Sequence, residues 1–154
     1  MSTRHVQIVM PCHVNGNNRL FGGQLMAWID VVGAVAARRH AGSDVTTASV
    51  DHLDFLSSVA LNDTVVLDAR VTWTGRTSLE VCVETFVERL NGERHLVNRA
   101  YSVFVAIDDQ GRPKPVPPMI PETVAEKVEW ERALRRRALR RERGHDRGKE
   151  SGKG

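Results

Sequence analysis

Asp30 is the one charge in a long apolar run, Leu25-Met26-Ala27-Trp28-Ile29-Asp30-Val31-Val32-Gly33-Ala34-Val35-Ala36-Ala37. Read as a helix, the run is apolar nearly all round, the pattern of a buried helix. A carboxylate there is costly unless it is paired or takes part in chemistry. Just upstream, the turn-forming run Asn15-Gly16-Asn17-Asn18-Arg19 leads through Leu20-Phe21 into Gly22-Gly23. Glycines at a helix start leave backbone N–H groups open to a ligand at the positive end of the helix dipole. A side chain there would block close approach. An acid able to act as base or nucleophile, on a helix whose first amides can receive an oxyanion, suits chemistry at a carbonyl carbon. Two plainer readings stay open. Asp30 can be a structural acid paired with a backbone N–H or an arginine, and Asn15 an ordinary turn residue.

The elements that must carry these residues follow from local pattern. His5–Met10 reads as a short strand, and 11–23 as a loop rich in Asn and Gly. The helix spans 23 to about 40 and ends at Ala41-Gly42; Val45–Phe55 is rich in β-formers. Val65, Leu67, Ala69, Val71 and Trp73 then share one face, with Asp68, Arg70, Thr72 and Thr74 opposite. Leu79, Val81, Val83 and Val87 share a face, with Glu80, Glu84 and Glu88 opposite. Period two marks half-buried antiparallel strands. They join at Thr74-Gly75-Arg76-Thr77, and Asn91-Gly92 is a strong hairpin signal leading into the strand His95–Ile107. One helix followed by antiparallel strands predicts an α+β fold, a sheet wrapped round a long central helix.

Five of the six prolines fall between Pro113 and Pro121, so that segment is extended and ends the sheet. The spacing predicts a C-terminal helix over 121–143, acidic at its start and arginine-rich at its end. From Gly144 the composition is that of a disordered basic tail. The domain is thus expected over 1–120, the helical extension over 121–143 and the tail over 144–154. The net charge of +3 comes from the C-terminal part, since 1–120 holds eleven basic and twelve acidic residues and 121–154 eleven and seven. No uninterrupted apolar run reaches a membrane span of about 18 residues. The N-terminus lacks the apolar core of a signal peptide, so a cytoplasmic location is the default. Cys12 and Cys82 are too few for a disulfide framework. His52 and Asp54 can share a strand face, but two ligands do not make a metal site.

The ordered set Met10-Pro11, Asn15, Phe21-Gly22-Gly23, Leu25-Met26 and Asp30 resembles the signature of hotdog-fold acyl-CoA thioesterases, the branch of cytosolic acyl-CoA hydrolases and YciA-like bacterial enzymes. Further matches are Gly75-Arg76-Thr77-Ser78, Phe104–Asp108, Gly111-Arg112 and Pro115-Val116-Pro117, so the likeness covers roughly 6–120. His13 departs from a usual Asp, Asn18 from a usual Gly, and Ser57-Ser58 from a usual Pro. The resemblance implies a hotdog fold that hydrolyses acyl-CoA to a carboxylate and CoA, with no metal or cofactor beyond the CoA of the substrate. It implies a catalytic Asn at Asn15, alongside Gly22 and Gly23 as oxyanion donors and Asp30 as base or nucleophile. Gly75, Arg76, Thr77 and Ser78 offer amides, hydroxyls and a guanidinium to CoA phosphates, with Arg112 and Lys114 as weaker candidates.

Gly22 and Asp30 are eight residues apart, about 12 Å along one helix. One carbonyl centre cannot lie ~3 Å from both, so a site using both draws on two copies of the chain. The resemblance implies the same, homodimers with composite sites, often assembled further into hexamers. Membrane and nucleic acid are not expected partners. Two other readings are a hotdog hydratase or dehydratase, which needs a catalytic His that 14–39 lacks, and a non-catalytic acyl-CoA-binding regulator using the arginines of the C-terminal helix.

Overall fold

The computed structural model describes residues 2–51 and 55–151. The elements are β1 (Thr3–Ile8), α1 (Gly22–Ala41), β2 (Asp44–Val50), β3 (Thr64–Thr74), β4 (Ser78–Glu88), β5 (Arg94–Ile107) and α2 (Val124–Ser151). One turn of 3-10 helix, Pro11–His13, lies in the loop before α1. The strands form one antiparallel sheet in the order β1-β3-β4-β5-β2. α1 lies in its curve, with Leu25, Ile29, Val32, Ala36 and Ala37 packed on Val65, Leu67 and Ala69 of β3, Leu79, Val81 and Val83 of β4, and Ala100, Phe104 and Ala106 of β5. This is the expected hotdog arrangement. α1 ends where Gly42 turns left-handed at φ 67° and donates its N–H to Arg38 O, a conformation glycine adopts without strain.

Three expectations are corrected. First, α1 is not buried all round. Its sheet-facing side is covered, but Met26 and Val31 are 48% and 63% exposed and Asp30 is half-buried, because the sheet covers only one side of the helix. Second, the alternation of β3 breaks. A bulge between Val71 and Trp73 turns Trp73 to the outer face, where its ring lies 6.3 Å from that of Trp130 in α2. An extra residue in one strand inverts the facing beyond it. Third, the outer face is not open around Glu80, which is fully buried beneath α2.

α2 starts at Val124, later than the prolines alone predict, because a capping box fixes it. Thr123 Oγ1 accepts the Glu126 N–H at 3.1 Å, and Glu126 Oε2 accepts the N–H groups of Glu122 and Thr123. The helix passes Gly144 without a break and reaches Ser151, where composition predicts a disordered end. Arg, Glu and Lys are good helix formers, and the two interior glycines, Gly144 and Gly148, cost only about 1 kcal/mol each. No helix among the described residues is long and apolar enough to cross a membrane.

Candidate active site

The loop before α1 is built by its own polar groups. Asn15 Oδ1 accepts the N–H groups of Asn17 (3.0 Å) and Arg19 (3.3 Å), an Asx turn. The turn occupies the carbonyl oxygen of the side chain, so its NH2 is the end able to donate outward. Asn18 takes φ 55°, the left-handed conformation Asn tolerates. His13 holds the loop to both neighbours. Its Nδ1 accepts the Met10 N–H at 2.9 Å, its backbone oxygen accepts the Phe21 N–H, and its ring meets Trp28 edge-on at 4.9 Å.

Phe21 precedes the helix and closes its first turn, its oxygen accepting the N–H groups of Gln24 and Leu25. The first two amides of α1, Gly22 and Gly23, have no intrahelical acceptor, and no described backbone bond outside the helix uses them. A Cβ at Gly23 would stand 2.6 Å from the Phe21 ring, and one at Gly22 would stand 3.7 Å from the ring of Phe55. The rings therefore wall the helix start, and glycine at 23 is required for Phe21 to lie there.

Asp30 lies two turns further along α1. Thr47 of β2 donates its hydroxyl to Asp30 Oδ1 at 2.8 Å, which fixes the carboxylate and leaves its second oxygen to accept from a reactant. Sequence reasoning missed Thr47, since one threonine among Thr46, Thr47 and Ser49 carries no signal until the β2 register is known. Thr47 pairs with Phe104 of β5, which pairs with Leu79 of β4. β2 is an edge strand of this sheet, so the Asp30 carboxylate is held beside the sheet edge.

The candidate phosphate loop lies at the same end of the sheet. Gly75 N–H donates to Ser78 O, and the proline segment returns along the loop, Lys114 N–H bonding Ala106 O and Val116 N–H bonding Arg76 O. The structure thus brings Gly75, Arg76, Thr77 and Ser78 together with Lys114. Arg112 lies just before it, in a turn capped by the Asp108 carboxylate at 2.9 Å. Arg76, Arg112 and Lys114 are exposed. Ala106, whose N–H bonds Thr77 O, is two residues from the Thr47 level, so the loop lies on the order of 10 Å away. His52 and Asp54 lie outside the described residues.

Arg132, Arg135, Arg141 and Arg143 of α2 are exposed, but other arginines of the same helix are not. Arg136 and Arg140 turn inward onto the buried Glu80, at 2.7 and 2.5 Å. Thr72 donates to the same carboxylate, and the Arg136 guanidinium lies 3.7 Å over the Tyr101 ring. Burial pushes the Glu80 carboxyl up, but the hydrogen bonds from Arg136, Thr72 and Arg140 outweigh it and hold it below its ordinary value. Arg70 of β3 joins Glu129 of α2 to Glu84 of β4. Cys82 lies in this outer face, and burial pushes its thiol up to about 11, far from a reactive thiolate.

A family model described as the thioesterase superfamily matches residues 17–91. A Bacillus subtilis protein named as an uncharacterized acyl-CoA thioester hydrolase, YkhA, is 44% identical over 119 residues, covering 77% of this chain and 69% of that one. The acyl-CoA thioester hydrolase YciA of Escherichia coli is 34% identical, covering 71% and 86%. Among solved structures, an acyl-CoA hydrolase from Staphylococcus aureus, in complex with butyryl coenzyme A, coenzyme A and coenzyme A disulfide, superposes at TM-score 0.90. It is 36% identical, and the match covers 96% of this chain and 91% of that one. Forms of that enzyme with one Asn, one Asp or one Thr changed to Ala are also solved. Along its chain the Asn and Asp are 15 residues apart and the Asp and Thr 17, the separations of Asn15, Asp30 and Thr47 here. An apo-hexameric acyl-CoA thioesterase superposes at TM-score 0.88 with 41% identity, over 93% of this chain and 92% of that one.

Proposed function

This chain belongs to the thioesterase superfamily, and from that premise we propose that it hydrolyses acyl-CoA to a free carboxylate and CoA in sites shared by two copies. The observation that carries this reading is Asp30, pinned by Thr47, on the same helix as two amides with no described acceptor. In each site the Gly22 and Gly23 amides and the Asn15 NH2 of one copy address the thioester carbonyl oxygen, and Asp30 comes from the other. Asp30 takes a proton from water as the water attacks, or attacks itself to give an anhydride that water then opens. The amides receive the oxyanion, the C–S bond breaks, and the CoA sulfur leaves with the proton. Arg76, with Thr77, Ser78 and Lys114 beside it, suits the CoA phosphates, as does Arg112.

Three features support pairing of copies: the open edge of β2, the exposed Met26 and Val31 on α1, and about 12 Å between the two halves of the site on one helix. Assembly into hexamers follows the hexameric relatives. The free cysteines, one exposed and one buried, suit a reducing compartment such as the cytoplasm. The test is CoA release from a panel of acyl-CoAs of graded chain length. The expected result is turnover by the wild type and at least about a hundredfold lower kcat in folded Asp30→Asn, the scale of a lost positioned base. No release from any acyl-CoA, or near-normal turnover by that variant, refutes the reading.

A further inference from the structure

Within one chain, β2, which carries Thr47, pairs with β5, and its register shifts between Thr47 and Ser49. A bulge leaves a residue unpaired and interrupts the ladder beside Thr47, so the pairing with β5 does not by itself fix that residue's place. Yet it must hold a 2.8 Å hydrogen bond to Asp30, and catalytic geometry loses rate steeply when misplaced.

Its C-terminal end is tied down from the far side of the sheet. Asp51, directly after β2, donates its N–H to Tyr101 O of β5, and its carboxylate lies 3.5 Å from Arg140 Nε. The same guanidinium bonds Glu80 on β4 at 2.5 Å. Glu80 and Ser49 are both paired with Val103, one on either side of β5. Arg140 therefore reaches from α2 across β5, linking a fully buried carboxylate in the centre of the sheet to the end of its edge strand. The placement along the chain gives this tie its meaning. Four residues before Asp51 stands Thr47, which touches Asp30. Four residues after it stands Phe55, whose ring lies against Gly22. One guanidinium thus anchors the chain four residues beyond Thr47.

We infer that Arg140, anchored by Glu80, is a positioning residue for hydrolysis: it clamps the end of β2 through Asp51 and so holds Thr47 and Asp30 in register. α2 is then part of the catalytic apparatus although it touches no reactant. The role in turnover rests on the hydrolase reading above; the clamping of β2 does not.

The test uses full-length protein and two readouts, steady-state CoA release and hydrogen exchange of the β2 amides. Arg140→Met is expected to lower kcat about tenfold with KM within about twofold, the signature of lost positioning rather than lost binding. Exchange across 44–50 should quicken about tenfold as the strand opens more often. Arg140→Lys should recover part of both. Asp51→Asn, which leaves Glu80 paired, should reproduce both losses and serves if Arg140→Met does not fold. Glu129→Gln is the control, because it cuts the tie of α2 to Arg70 on β3 and does not touch β2. It should lower thermal stability and leave kcat and β2 exchange near wild type. Unchanged kcat and β2 exchange in folded Arg140→Met and Asp51→Asn overturns the inference, as does Glu129→Gln reproducing both losses. If the wild type itself releases no CoA, the hydrolase reading falls, and the exchange readout alone decides the clamp.

Discussion

Two inactive variants should restore each other. Asn15→Ala removes the amide beside the helix start, and Asp30→Ala removes the acid two turns along α1. The eight residues between Gly22 and Asp30 span about 12 Å, four times the contact distance a single carbonyl centre allows, so in the proposed mechanism the acid serving one helix start comes from another copy. In a mixed pair, one site then joins intact Asn15 from one chain to intact Asp30 from the other, and the second site carries both lesions. Random pairing at equal amounts puts about half the chains in mixed pairs with one working site each, so about a quarter of wild-type activity returns. Grouping pairs into hexamers leaves this fraction unchanged, since it is set within each pair. The assay is co-refolding at equal amounts, mixed pairs verified by mass, and CoA release measured against each parent refolded alone. Activity no higher than the mean of the parents, with mixed pairs present, places both residues in one subunit's site and refutes the geometric argument.

Thr47→Val keeps the shape and removes the hydroxyl that Asp30 accepts. It should lower kcat by about ten- to hundredfold, the range for a hydrogen bond to a charged group, with KM little changed, and an unaltered kcat would show that the hydroxyl does not hold the acid. Arg76→Ala should raise KM for acyl-CoA more than it lowers kcat, with a smaller effect at high salt; an unchanged KM removes Arg76 from the site. Glu80 titrates below its ordinary value in the fold. Its stabilisation is therefore complete above the unfolded value of 4.5 and is lost as pH falls through the lower folded value. Denaturant titrations should show stability falling below about pH 4.5. Glu80→Gln should reduce that slope, leaving the part due to Glu84, and should cost about 3 kcal/mol at neutral pH by stranding two arginines; a wild-type slope in the variant would deny Glu80 the role.

The elements readable in the sequence are those specified by neighbours in the chain. The alternation of β4, the Asn91-Gly92 turn and the Gly42 end of α1 are local patterns, and the structure has each. The Gly-Gly start and the lone Asp30 were legible as chemistry because an acid in an apolar helix needs a reason. What was not legible depends on distant partners. The bulge that turns Trp73 outward answers to Trp130, 57 residues later. Glu80 reads as a solvent-facing strand residue until α2 covers it, and Arg136 and Arg140 read as a charged helix end until the same packing occurs. Thr47 is anonymous by composition and gains meaning only from the register that sets it opposite Phe104 and under Asp30. His13 replaces a usual Asp, and its ring nitrogen still supplies an acceptor to the Met10 N–H.

The two layers of this fold are held by unlike forces, and heat treats them differently. α1 lies on the sheet through aliphatic side chains, a contact whose free energy per unit area levels off as temperature rises. α2 grips the other face largely through arginine–carboxylate pairs, from Arg70–Glu129 at one end to Arg140–Glu80 and Arg140–Asp51 at the other. The hydration that such charges give up on pairing becomes less favourable with warming, so their penalty for pairing shrinks. As the protein approaches its melting range, the outer helix therefore keeps its hold longer than its exposed position suggests, and the edge strand it clamps stays seated until the aliphatic layer gives way.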